Sequence, residues 1–181
     1  MVSTKLLTAE ELERLSDPGG RYELVQGELV EMTPIDLVHV RVSGNIQATL
    51  HRFSSENQLG IVGSEGGFVL FRDPDTVRAP DVAFVRADRW PRGEAERHFG
   101  YFPPDLAVEV RPPSESIRSL RAKAQMYIEA GVRLVWLVDP DSRTILVIAP
   151  DTEITTLHES DTVESGDVLP EFRMSLVDVF R

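Results

Sequence analysis

The 181-residue chain is 41% hydrophobic and 27% charged, close to the globular average, which excludes a disordered or fibrous chain and predicts one domain over residues 1–181. It contains no cysteine, so disulfides, thiolate catalysis and cysteine-ligated zinc are excluded. The formal net charge of -11 comes from eight acids against three bases in 1–36 and eight against two in 151–181, whereas 37–150 balances at fourteen against fourteen. So acidic a chain is expected to bind nucleic acid weakly, because phosphates repel it. No apolar run approaches the ~20 residues of a membrane span. Residues 1–12 hold no apolar leader, so a cytoplasmic protein is expected.

Thr8-Ala9-Glu10-Glu11 reads as a capping box opening a short helix to about residue 16, ended by Asp17-Pro18-Gly19-Gly20. Strands are predicted over 21–25 and 28–32, forming a hairpin around Gln26-Gly27. Thr33-Pro34 breaks the chain, and Asp36 can cap a helix to about residue 53 with Val42, Ile46, Leu50 and Phe53 on one face. Strands follow over 60–62, 67–71, 81–85 and 106–110, with a turn at Asp73-Pro74-Asp75 and an irregular stretch over 88–101. A helix over 116–130 stops at Gly131, and 133–138 and 144–148 flank a turn at Asp139-Pro140-Asp141-Ser142. The tail holds short strand-like pieces. This order predicts an α/β (α+β) domain with a central sheet between helices and an N-terminal hairpin.

Polar residues break three otherwise apolar elements. Leu106, Val108 and Val110 share one strand face, while the other shows Ala107 and Glu109. A carboxylate inside such a strand is costly unless paired, and Arg111 or Lys123 can pair with it. Asp81 stands at the mouth of another apolar strand. Lys123 and Tyr127, four apart, share a helix face. Two carboxylates from neighbouring strand ends can hold magnesium, which takes oxygen ligands and keeps waters that a phosphate can replace. A nearby lysine can orient water or neutralise developing charge. These are the minimum parts for phosphodiester hydrolysis.

At these residues the sequence resembles the PD-(D/E)XK nuclease superfamily and, within it, the Uma two family of restriction endonucleases. The resemblance runs from Tyr22-Glu23-Leu24-Val25-Gln26-Gly27-Glu28-Leu29-Val30-Glu31-Met32, Pro34 and His39 through Ala79-Pro80-Asp81-Val82 and Pro104-Asp105-Leu106-Ala107-Val108-Glu109-Val110. It continues in Pro113-Ser114, Lys123, Tyr127, Ala130-Gly131-Val132 and Trp136-Leu137-Val138-Asp139-Pro140, and ends in Gly166, Leu169-Pro170 and Phe172. It implies a restriction-endonuclease-like core, a mixed sheet flanked by helices. It further implies that Asp81 and Glu109 are metal ligands with the main-chain carbonyl of Val110 as a third, binding Mg2+ or Mn2+. The superfamily lysine, usually two residues after the glutamate, falls on Arg111 here, and Lys123 on the following helix takes its role. DNA is the implied substrate, and duplex cleavage favours a homodimer.

Other residues carry alternatives. His39 can approach a metal or a phosphate, or simply bond a nearby backbone group. One of Glu23, Glu28 and Glu31 can point into a cleft, or all can lie on a solvated face. Tyr127 can cover the cleft or anchor its helix with a wet hydroxyl. Trp136 reads as core. Arg111, Arg118, Arg121 and Lys123 form a small basic patch, readable as a solvated helix face. Arg86, Arg89, Arg92 and Arg97 are offset by Asp88, Glu94 and Glu96. Two rival functions remain: a non-catalytic binding or assembly module of the same fold, and a hydrolase of small phosphoesters.

Overall fold

The computed structural model of the protein describes residues 6–15, 21–32 and 34–181. The turn at 17–20 and the break at Thr33 lie outside the described residues. Helix α1 (Ala9–Glu13) opens with the expected capping box, in which Glu11 N donates to Thr8 Oγ1 and Thr8 N to Glu11 Oε2. Strands β1 (Tyr22–Val25) and β2 (Glu28–Glu31) form the expected hairpin. Its turn has positive φ at both Gln26 (51°) and Gly27 (79°), which matches the right-handed twist of the strands it joins.

Helix α2 (Leu37–Glu56) is capped by Asp36 and buries Val42, Ile46 and Leu50 at the predicted spacing. Strands β3 (Gly60–Gly63), β4 (Phe68–Phe71), β5 (Thr76–Arg78) and β6 (Val82–Arg86) follow, then a short 3-10 turn at Gly93–Arg97 and strand β7 (Leu106–Val110). Helix α3 (Ile117–Glu129) starts at Ser116 and gives way to Gly131, whose φ of 98° favours glycine. Strands β8 (Leu134–Asp139), β9 (Thr144–Ile148), β10 (Thr155–His158), β11 (Thr162–Glu164) and β12 (Arg173–Ser175) precede helix α4 (Leu176–Phe180).

The expected central sheet has six strands in the order β10-β9-β8-β7-β6-β3. All its pairs are antiparallel except β7 with β8, which α3 connects as a crossover. Alternation along the strands sends Val82, Phe84, Leu106, Val108 and Val110 toward α2 and the C-terminal segment. The other face sends Ala83, Val85, Ala107, Val135 and Leu137 toward α3. Trp136 is fully buried, as expected.

A second sheet departs from the expected layout. Its order is β2-β1-β5-β4, so the N-terminal hairpin is extended by two strands from the middle of the chain. Strand β5 escaped the sequence reading because its three residues stand between two proline-marked breaks, too short for an alternation to register. Among the described residues no helix is long and apolar enough to cross a membrane.

Arg111 continues from the end of β7 and ties it to the β8–β9 turn. Its Nε and Nη2 donate to Asp139 Oδ1 at 3.0 and 2.8 Å, Nη2 also reaches Asp141, and Nη1 donates to the Glu115 carbonyl at 3.2 Å. Burial alone would raise the Asp139 carboxyl, but the bonds from Arg111 and Ser142 outweigh it and hold the group below the ordinary range. A lowered carboxyl stabilises the fold above its unfolded value, near 3.9, and loses that contribution as pH falls through the folded value. Asp139→Asn is therefore expected to be less stable than wild type at pH 7, with the gap narrowing at pH 3, measured by urea unfolding. A gap independent of pH would count against this latch.

Candidate active site

Strands β6 and β7 pair antiparallel with Val82 opposite Val108, and continuing that register by one residue sets Asp81 opposite Glu109. Asp81 sits in the bend just before β6, and its Oδ2 accepts from the Val110 N–H at 2.7 Å. Glu109 lies inside β7 on the same face as Ala107, toward α3, and is 5% exposed. The register thus brings together residues 28 positions apart in the chain.

Helix α3 supplies the partners of Glu109. Lys123 Nζ lies 2.9 Å from Glu109 Oε2, and the Tyr127 hydroxyl donates to Oε1 at 2.7 Å. The four-residue spacing stacks both groups on the helix face that buries Leu120 and Ala124. Tyr127 is fully buried, so its hydroxyl is not wet and serves as a dry anchor for the carboxylate. Of the pair open to Glu109 in the sequence, Lys123 is the partner and Arg111 is committed elsewhere.

The second sheet adds two more charges. Glu23, on β1, is 2% exposed and accepts from Arg78 Nη1 at 2.6 Å and from Ala79 N–H at 2.9 Å. Its Oε1 also lies 3.5 Å from Lys123 Nζ. Of the three acids weighed in the hairpin, Glu23 is the inward one, whereas Glu28 is exposed and Glu31 is an exposed rim residue of the cleft. His39, on α2, places Nε2 2.9 Å from Asp81 Oδ1, without the alignment of a hydrogen bond, and its Nδ1 is buried with no hydrogen-bond partner among the described residues. It therefore meets a carboxylate rather than the backbone.

These side chains line one cleft of about 410 Å³ between the β1–β2 hairpin and α3. Burial pushes the Glu109 carboxyl up to about 7, with the charges of Asp81 and Glu23 adding to the shift and Lys123 and Tyr127 opposing it. Burial would lower the Lys123 ammonium, but Glu109 and Glu23 more than compensate and keep it above its ordinary value. Glu23 is held low by Lys123 and Arg78 despite its burial. Burial and the neighbouring carboxylates raise the Tyr127 phenol well above 10, so it remains a donor.

The donors can accept a hard cation. Counted as ionised, Glu23, Asp81 and Glu109 against Arg78 and Lys123 leave a formal charge of -1, and the acceptors are all oxygen. Each carboxylate oxygen of Asp81 and Glu109 already meets one protein group, yet a carboxylate offers about four lone-pair positions. Among the described residues no three His, Asp or Glu side chains already converge as a closed metal cage. Two carboxylates and open positions are the ordinary provision for magnesium, so the residues fit it.

The basic patch expected over 111–123 does not form one face. Lys123 turns into the cleft, Arg111 into the β8–β9 turn, and Arg118 and Arg121 alone stay exposed. At the end of β6 Arg86 pairs with Asp88, and in the irregular stretch Arg89 pairs with buried Asp105, Arg97 pairs with Glu94 and Arg92 is exposed. Arg78 is the site residue the sequence reading missed. The available signal was its place three residues before Asp81, within the same short approach to the sheet.

A family model described as "Uma2: Putative restriction endonuclease" matches residues 9–177. Among solved structures, the chain is similar to the crystal structure of a putative nuclease belonging to DUF820 from Anabaena variabilis ATCC 29413. The TM-score is 0.84 at 20% identity, covering 96% of this chain and 97% of that one, which establishes the shared fold. No curated protein matches.

The Tyr127 hydroxyl donates to a buried carboxylate, a bond class whose loss costs about 1–3 kcal/mol. Tyr127→Phe is expected to lower unfolding stability by that amount in urea titration without changing the slope. Unchanged stability would show that Glu109 does not depend on this donor.

Proposed function

The chain belongs to the Uma2 family, and from that premise we propose that it is a divalent-metal-dependent endonuclease that hydrolyses DNA phosphodiester bonds in the cytoplasm. The observation that carries this reading is the meeting of Asp81, Glu109 and Lys123 in one cleft from two paired strands and the crossover helix. Asp81, Glu109 and the main-chain carbonyl of Val110 would hold Mg2+, or Mn2+ in its place. Such an ion, when bound, supplies Lewis-acid polarisation of phosphoryl oxygens.

The chain's own residues do the rest. Lys123, fixed between Glu109 and Glu23, presents its ammonium to the attacking water and to charge building on the phosphoryl group. Tyr127 fixes the Glu109 carboxylate, and the Val110 N–H fixes that of Asp81. Residue positions held this way meet the demand of in-line displacement for pre-set geometry. One such cleft cuts one strand, so cleavage of both strands calls for a homodimer.

A second reading, a non-catalytic module of the same fold, is favoured by one observation. All four oxygens of Asp81 and Glu109 already face protein groups, as they would in a closed structural cluster. Calorimetric titration with magnesium separates the two, since the module binds none.

Plasmid nicking in magnesium tests the leading reading. Wild type is expected to convert supercoiled plasmid to the open form. Asp81→Ala and Lys123→Ala are expected to be slower by at least about 10²-fold, the usual loss when a charged group acting in the transition state is removed. Equal rates in all three proteins would overturn the assignment.

A further inference from the structure

Strand β5 alternates Val77 into the small core beside Leu24 and Arg78 to the opposite side. Leu24 pairs with Val77, so the same antiparallel register continued by one residue sets Glu23 across from Arg78. Opposite charges directly across a sheet are a favourable pair, and here the acid is buried. Glu23 takes one end of the guanidinium, at Nη1. Among the described residues Nη2 donates to no protein atom, and Nε is the part of the group buried without a partner. The side chain is 13% exposed and lines the cleft, so its free end is the end that meets the cleft.

The other cations of the cleft are placed differently. Lys123 is shared between two carboxylates, and Arg21 is a half-exposed side chain paired with Glu65. Arg78 combines a fixed orientation with a free pair of N–H donors. Its Cα is also tethered close to the site, because only Ala79 and Pro80 separate it from Asp81, a span of at most about 10 Å. An arginine held at one end by a buried carboxylate and open at the other presents a planar, always charged donor edge, which suits a phosphate oxygen.

We propose that Arg78, oriented by Glu23, forms a subsite for a non-bridging oxygen of a phosphodiester next to the Asp81–Glu109 pair. The proposal rests on the nuclease reading of the cleft for its choice of phosphodiester over free phosphate. Arg78 binds the substrate's anion in the ground state and in the transition state, and Glu23 acts as its positioning residue. No covalent step is assigned to either.

The test titrates two probes, inorganic phosphate and a short single-stranded oligonucleotide, into wild type, Arg78→Gln and Arg78→Lys. Calcium, an oxygen-seeking ion, is present throughout, and Mn2+ is titrated separately. Glutamine keeps a donor for Glu23 but removes the charge and the free edge. Arg78→Gln is expected to weaken oligonucleotide binding at least about tenfold, with Mn2+ affinity unchanged and Arg78→Lys recovering part of the loss. Wild-type affinity in Arg78→Gln for the oligonucleotide would overturn the subsite. So would an equal loss of Mn2+ affinity, because Arg78 would then act only through the carboxylates. Failure of wild type to bind either probe overturns it too, and an effect on inorganic phosphate alone overturns the phosphodiester assignment. If Arg78→Gln does not fold, the same readings are made on Arg78→Lys, where unchanged oligonucleotide binding overturns the free-edge role. An Arg78 effect in a protein that never nicks plasmid would leave the subsite standing and remove the nuclease reading.

Discussion

A carboxylate embedded in an apolar strand is the constraint on which the rest of this structure depends. Glu109 stands between Val108 and Val110 in a strand whose every residue is buried. Removing a charge from water costs several kcal/mol, and the fold must return that cost through partners. Lys123 and Tyr127 are those partners, and both come from α3. The crossover between β7 and β8 is therefore more than a connection. It carries back over the strand the ammonium and the hydroxyl that make the strand's acid tolerable, and so fixes the rotation of α3 about its axis.

Burying Lys123 transfers the same problem to the helix. One carboxylate already pushed up by burial is an incomplete counter-ion for a buried ammonium. The second sheet completes it with Glu23, which Arg78 and the Ala79 N–H hold in the charged form. The chain then passes within three residues from Arg78 in that sheet to Asp81 at the edge of the other. The two sheets share apolar packing where Phe68 and Leu70 of β4 meet Ala83 and Val85, and they are joined again at a chain of alternating charge, Arg78, Glu23, Lys123 and Glu109, along one wall of the cleft. Interdependent pairs of this kind hold each other in place and keep Glu23 and Lys123 ionised, whereas any one of them alone would be expelled to water or neutralised.

The sequence made the central sheet legible because its strands are apolar, long enough to alternate and bounded by proline or glycine. The same regularity exposed Glu109 as an anomaly and placed Lys123 and Tyr127 on one helix face. What could not be read was pairing across distance. Nothing local says that residues 76–78 form a strand beside 22–25, so Arg78 went unnoticed and Glu23 could not be told from Glu28 and Glu31. His39 shows the same limit. Its helix and capping residue were readable, but that its ring would meet Asp81 depends on where α2 crosses the end of β6. The basic patch was legible only in part for a related reason: Arg118 and Arg121 do form a solvated helix face. Its charges are neighbours in sequence, yet the helix turn sends Lys123 inward and Arg111 pairs with Asp139 at the β8–β9 turn.

The acidic balance of the chain argues against a broad nucleic-acid surface, and the fold distributes that charge in a way that matters for the cleft. The strongly acidic C-terminal segment packs its apolar residues with α2, on the face of the central sheet away from α3. The cleft lies between the β1–β2 hairpin and α3, with Arg21, Glu31 and Glu115 among its lining charges, while Arg118 and Arg121 stand exposed on α3 outside that lining. Under the proposed function, salt would screen those exposed charges of the acidic tail that lie more than about 8–10 Å from the cleft. Such a surface cannot bind a long duplex through many neutralised phosphates. Under the proposed function the cleft would act on one phosphate at a time, through the few fixed charges of Arg78 and Lys123. Affinity for the polymer is then low while the demand for exact placement at a single bond is met by groups the fold has already ordered.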